Sequence, residues 1–106
     1  MNDCIFCKII NKEIKSDFLY EDKNFIIIND INPISKGHCL LIPKTHFQTI
    51  FDLPQEYPNK ILNIIQKQSL NLIKQNLATG IKIIQNNYPS AGQTINHFHI
   101  HIIPQK

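Results

Sequence analysis

Hydrophobic positions along the chain fall into short runs whose period changes from segment to segment. Residues 4–10, Cys-Ile-Phe-Cys-Lys-Ile-Ile, fit one or two helical turns, with Asp3 in the place of an N-cap. Phe18-Leu-Tyr-Glu-Asp and Phe25-Ile-Ile-Ile-Asn-Asp are rich in strand formers and are split by the polar turn Asp22-Lys-Asn, which predicts a hairpin. Asn32-Pro-Ile-Ser-Lys-Gly breaks the chain, and His38-Cys-Leu-Leu-Ile reads as a third strand ended by Pro43. From 55 to 77 the period becomes helical: Ile61, Ile64, Ile65, Leu72, Ile73 and Leu77 recur near i, i+3/i+4 spacing, with Gly80 as terminator. Residues 80–86 read as a fourth strand, 88–92 as a loop, and 96–103 as a fifth strand ended by Pro104. The order β-β-β-α-β-β predicts an α+β fold. It has a five-stranded, mainly antiparallel sheet, one long helix and a short N-terminal helix.

Length keeps this to a single domain over 1–106. With 42% hydrophobic and 18% charged residues the composition is globular. No run approaches the ~20 apolar residues of a membrane span. Met-Asn-Asp-Cys lacks the basic start of a secretory leader, and three cysteines, an odd count, suit a reduced compartment; a cytoplasmic location is expected. The net charge is +3, but the basic residues are spread along the chain rather than gathered in a stripe with aromatics, which argues against nucleic acid as the main partner. All 11 basic residues are Lys. Without Arg, a bound phosphate cannot be held by a bidentate guanidinium fork. Backbone N–H groups, amides, hydroxyls, Lys or His must hold it.

Three of the five histidines occur in His97-Phe-His-Ile-His-Ile-Ile. On a strand, His97, His99 and His101 share one face about 6.6 Å apart, while Phe98, Ile100 and Ile102 share the other and should pack on the helix. Two imidazoles at that spacing suit one phosphate group or one metal ion. A metal-dependent hydrolase needs further ligands, yet no acidic residue follows Glu56. The loop before the strand offers Asn86, Ser90, Gly92, Gln93 and Thr94 instead, with Gly92 permitting close backbone approach. The pattern favours phosphate chemistry.

These residues resemble the histidine triad (HIT) family. His97–Ile103 is similar to its His-φ-His-φ-His-φ-φ signature. Asp30-Ile-Asn-Pro-Ile-Ser-Lys-Gly-His-Cys-Leu-Leu-Ile-Pro-Lys-Thr-His and Ala91-Gly-Gln-Thr-Ile-Asn-His resemble its internal and terminal blocks, and Cys4-Ile-Phe-Cys-Lys-Ile-Ile its nucleotide-binding branch. The resemblance implies a HIT-like fold and a hydrolase or transferase acting at the α-phosphate of a purine nucleotide. Substrates would be nucleoside phosphoramidates, acyl-nucleotides or dinucleoside polyphosphates, cleaved through a nucleotidyl-histidine intermediate. The enzyme would be adenosine phosphoramidase-like or dinucleoside polyphosphate hydrolase-like. By position, His99 is the nucleophile, His101 holds the phosphate and helps protonate the leaving group, and His38 is a hydrogen-bond partner beside the triad. Asp30 matches a ribose-binding carboxylate, and Asn86, Gly92, Gln93 and Thr94 match the residues around the phosphate. Ile5, Phe6, Ile9, Ile28 and Ile31 match the apolar base pocket, with AMP as the type of ligand.

The same resemblance implies a structural zinc site of Cys4, Cys7, His46 and His97, with no metal needed for the chemistry. It also implies a homodimer joined through the long helix and fourth strand. The competing expectation is a zinc-stabilised, non-catalytic module that binds purine nucleotides. The chain departs from the family at Tyr88, where relatives commonly have Gly.

Overall fold

Asp22 closes the first hairpin as an Asx turn: its Oδ1 accepts the backbone N–H groups of Asn24 and Phe25 at 2.7 and 2.8 Å. The turn joins β1 (Phe18–Glu21) to β2 (Phe25–Asn29); β3 (Cys39–Pro43), β4 (Gly80–Ile84) and β5 (Ile100–Gln105) follow. The computed structural model, which describes residues 3–106, orders these strands β1-β2-β3-β5-β4 with every neighbouring pair antiparallel. Among the described residues two α-helices, α1 (Ile5–Ile10) and α2 (Tyr57–Lys74), and two single 3-10 turns, Ile50–Asp52 and Pro89–Ala91, complete the fold. Among the described residues, no helix is long and apolar enough to cross a membrane.

Alternation along each strand divides the core into two layers. On one face Phe25, Ile27, Cys39, Leu41, Phe98, Ile100 and Ile102 pack with Tyr57, Ile61, Ile64 and Leu72 of α2. On the other, Ile26, Ile28, Leu40 and Ile42 pack with Phe6 and Ile9 of α1. Burial on both faces is why β2 and β3 are unbroken apolar runs rather than alternating ones. Each buried Ile or Leu is worth about 1.5–3 kcal/mol against exposure. The second face also carries the histidines: His101 sits opposite Leu40 of β3 and Ile84 of β4.

Several expected boundaries shift. The cap of α1 is Cys4, not Asp3: the Cys4 sulfur accepts the N–H of Cys7 at 3.4 Å. The long helix stops before Gly80. Asn76 adopts φ +60°, and Leu77 N–H reaches back to the Leu72 carbonyl, so Asn supplies the left-handed turn and Gly80 opens β4. The fifth strand begins at Ile100 rather than Asn96 and runs through Pro104. Residues 97–99 leave the ladder because Phe98 N–H donates to the Phe47 carbonyl at 2.7 Å. This is why the three histidines do not form one row.

Gly37, between β2 and β3, is required where it stands. Its φ is +94°, and a Cβ there would lie 3.0 Å from Leu72 Cδ2 and 3.1 Å from Pro104 Cγ. Gly37→Ala therefore meets a backbone penalty of about 1–2 kcal/mol plus crowding of about 1 kcal/mol or more. Its urea midpoint should fall by an amount equivalent to about 2–3 kcal/mol; an unchanged midpoint would contradict the close packing of the turn.

Candidate functional site

The second face of the sheet opens into a cleft of about 500 Å³. His99 and His101 line it together with Asp30, Thr94, Ile5, Phe6, Ile9, Ile28 and Ile31. Helix α1 forms one wall, the end of β2 another, and β5 the floor. Ile28 and Phe6 are buried, whereas Ile31 is 91% exposed and stands on the rim.

Hydrogen bonds fix the protonation pattern of each imidazole. His99 Nδ1 lies 2.7 Å from the His97 carbonyl. A carbonyl only accepts, so Nδ1 carries the proton and Nε2 of neutral His99 keeps its lone pair. Burial, the largest cause, holds His99 below the ordinary imidazole pKa, so the ring is neutral at pH 7. His38 has the opposite arrangement. Its Nδ1 accepts the Ile34 N–H at 3.0 Å, which puts the proton of neutral His38 on Nε2. That Nε2 lies 2.9 Å from His101 Nδ1 and 3.3 Å from Asp30 Oδ2. His38 thus donates to His101 Nδ1, leaving the N–H of neutral His101 on Nε2. Burial and the neighbouring His99 and His38 lower the His101 pKa, and Asp30, 3.6 Å away, opposes them.

Cys4, Cys7, His46 and His97 form a second constellation, their ligand atoms all within 4.8 Å of one another. Nδ1 of His97 lies 3.3 Å from Cys4 Sγ and 3.6 Å from Cys7 Sγ; His46 Nδ1 lies 3.4 Å from Cys7 Sγ and 3.1 Å from His97 Nδ1. With Zn–S near 2.3 Å and Zn–N near 2.0–2.1 Å, a tetrahedral site has S–N edges of about 3.5 Å and an N–N edge of about 3.3 Å. The group matches these edges. Its tautomer matches too: His97 Nε2–H donates to the Pro43 carbonyl at 2.8 Å, leaving the Nδ1 lone pair toward the sulfurs. Burial pushes His97 down to about 4, favouring the neutral ring. Asp30, His38 and His101 are also within 4.8 Å of one another. There the Ile34 N–H occupies one nitrogen of His38 and its proton the other, so this cluster is a hydrogen-bonded chain rather than a ligand set.

The loop from Asn86 to Thr94 divides its work. Thr94 reaches the cleft. Gly92, at φ +96°, turns the chain with the Asn86 amide alongside. Gln93 is buried and spends its amide internally: Oε1 accepts the Tyr88 N–H at 2.7 Å and Nε2 donates to the Gln48 carbonyl at 2.8 Å. Asn86, Gly92, Gln93, His38 and His97 do not line the cleft itself.

Residues 11–106 match the HIT domain. The chain belongs to the HIT family. It is 41% identical over 105 residues to adenylylsulfatase HINT3 of Arabidopsis thaliana, covering 99% of this chain and 53% of that protein. It is 39% identical over 107 residues to adenosine 5'-monophosphoramidase HNT1 of Candida albicans, covering 97% of this chain and 70% of the relative. Among solved structures, a HIT family protein of Bacillus anthracis superposes with a TM-score of 0.93 at 39% identity, over 98% of this chain and 74% of that one. A Zn-bound histidine triad protein of Mycobacterium smegmatis superposes at 0.92 with 34% identity, over 98% of this chain and 76% of that one.

Within this HIT chain the cleft also uses residues that the sequence reading passed over, among them Ile14, Ser16, Leu40 and Ile95. Leu40 and Ile95 carried a usable signal, since Leu40 lies two residues after His38 and Ile95 directly follows Thr94. The departure at Tyr88 has a structural counterpart. Tyr88 adopts φ +75°, ψ +155°, a region essentially restricted to Gly, and its ring stacks on exposed Phe51 at 6.3 Å. Comparing Tyr88→Ala with Tyr88→Gly isolates the backbone. Gly relieves about 1–3 kcal/mol of strain and gives back up to about 1 kcal/mol in unfolded-chain entropy. The Gly variant should melt above the Ala variant by several degrees; the reverse order would show that position 88 is unstrained.

Proposed function

We propose that this HIT protein is a nucleotidyl hydrolase or transferase acting at the α-phosphate of a purine nucleotide, with phosphoramidates, acyl-nucleotides or dinucleoside polyphosphates as substrates. The observation that carries this reading is the His99 tautomer. A neutral ring bonded through Nδ1–H to a backbone carbonyl, on the wall of a nucleotide-sized cleft, has Nε2 as a ready nucleophile. In the first step the Nε2–phosphorus bond forms and the bond from phosphorus to the leaving group breaks. His101 hydrogen-bonds the phosphoryl oxygen through Nε2–H when neutral. When charged it gives the leaving group its proton, with Asp30 close enough to stabilise the imidazolium. Water then attacks phosphorus while giving a proton to His101, neutral after the first step; the Nε2–phosphorus bond breaks, His99 departs as the neutral ring, and a nucleoside monophosphate results. Thr94 and the backbone of the 86–94 loop supply donors for the phosphoryl oxygens in place of Arg. Gln93 supports that loop from beneath. Asp30 Oδ1 is bonded to Asn32 N–H at 2.9 Å, so ribose hydroxyls would meet mainly Oδ2. The apolar wall of α1 and Ile28 suits a purine base.

We assign structural zinc to Cys4, Cys7, His46 and His97. When bound, it cross-links α1 to the segments carrying His46 and His97 without taking part in the displacement. A homodimer through α2 and β4 accounts for exposed Leu62, Leu70 and Ile73 on the helix and Ile83 on the edge strand. The test of the reaction is mass spectrometry of the chain quenched in mildly alkaline denaturant, where a histidine N–P bond survives, after mixing with an adenosine phosphoramidate. A mass gain of one AMP on the peptide containing His99 is expected. Turnover without such an adduct, or an adduct elsewhere, would remove His99 as nucleophile.

A further inference from the structure

We propose that metal and nucleotide bind this chain cooperatively, because Phe6 and His97 tie the Cys/His centre to the nucleophile and to the wall of the cleft. The inference rests on the reading of the cleft as a nucleotide site. Helix α1 has six residues, well below the length at which a helix is stable alone. Its order comes from what it packs against. Cys4 caps it and Cys7 lies inside it, so two of four metal ligands belong to this one turn and a half. Ile5, Phe6 and Ile9 from the same helix line the cleft. Whatever fixes α1 for one ligand fixes it for the other.

Phe6 is the mechanical link. It stands between the two cysteines, is 3% exposed, and presents its ring edge-on to His97 at 5.7 Å and to His99 at 5.1 Å. His97 is the second link. Its ring is placed among the ligands while its carbonyl accepts the His99 Nδ1–H at 2.7 Å. A metal that holds the His97 ring also holds the acceptor that orients the nucleophile. Without it, the ring keeps its bond to the Pro43 carbonyl but loses the constraint on the Nδ1 side. Linkage then requires reciprocity: if metal raises nucleotide affinity by some factor, nucleotide raises metal affinity by the same factor.

Co²⁺ and AMP are the probes. Co²⁺ is titrated into the metal-free chain with and without saturating AMP, read by the visible absorption of a tetrahedral thiolate site. AMP is titrated calorimetrically into the metal-free and the loaded chain. Circular dichroism first establishes that the metal-free chain is folded. Both affinities should tighten by a common factor on the order of 10-fold. In Phe6→Leu, which keeps an apolar side chain at this buried position, Co²⁺ should still bind while the factor falls toward one. Equal AMP affinity with and without Co²⁺ overturns the proposal, as does full coupling in Phe6→Leu, which would remove the Phe6 ring from the link. Failure of AMP to bind either form overturns the nucleotide reading and this inference together. Failure of Co²⁺ to bind overturns the metal assignment and, with it, the coupling.

Discussion

His99→Ala should abolish turnover of an adenosine phosphoramidate, by a factor of about 10⁴ or more, while AMP affinity changes by less than about 10-fold. The asymmetry follows from what His99 contributes. As a nucleophile it makes a covalent bond in the transition state, and removing such a group from a catalytic unit typically costs 10⁴–10⁶ in rate. As one of many residues lining the cleft it contributes only a small share of ground-state contact. His101→Ala removes a proton donor and a phosphate hydrogen bond but not the nucleophile, so a smaller loss of about 10²–10⁴ is expected. The ordering of the two variants, measured as kcat at saturating substrate, discriminates between the readings. If His99→Ala and His101→Ala fall together to the same residual rate with no adduct in either parent or variant, covalent catalysis is the wrong class. If the parent chain turns over no nucleotide substrate yet binds AMP, the protein is a nucleotide-binding module.

The parts of this site that were legible in the sequence are those fixed by local periodicity. Phe98, Ile100 and Ile102 alternate, and they do pack under α2. The apolar runs of β2 and β3 announced strands, and the 3.6 period announced α2. What the sequence did not disclose depends on contacts between distant residues. By alternation alone His97 is the first member of a strand row, and only the family resemblance set it beside the cysteines; one backbone bond, Phe98 N–H to Phe47 O, takes it out of the ladder, and its ring lies among them. The tautomers of His38 and His99 depend on Ile34 N–H and on the His97 carbonyl, neither of which a side-chain pattern encodes. Gln93 fitted a phosphate donor by type, yet its amide is committed to Tyr88 and Gln48. Ile31 fitted an apolar pocket by type, yet lies on its rim. Residue type was informative about which chemistry is available, and tertiary hydrogen bonding decided which atom performs it.

Stripping metal from the purified chain should lower its melting temperature by on the order of 10 °C or more, with loss of order concentrated in α1. The size follows from a ligand that binds only the folded state: a metal held 100-fold below its concentration contributes about 2.7 kcal/mol, and 1 kcal/mol shifts a domain of this length by about 4–8 °C. The location follows from the two-layer core. The layer under α2 contains none of the four ligands, so the sheet and long helix keep their own apolar contacts. Helix α1 contributes only Phe6 and Ile9 as buried apolar anchors to the other layer. Hydrogen exchange should therefore show α1 amides losing protection while those of α2 and β2 retain it. Elemental analysis of protein purified without chelator should give one zinc per chain, since the Asp30, His38 and His101 cluster has its His38 nitrogens already occupied. Cys7→Ser should reproduce the chelated state without chelator. An unchanged melting temperature after metal removal, with α1 still protected, would reduce the cysteine pair to a thiol cap on a short helix, in which Cys4 Sγ accepts Cys7 N–H.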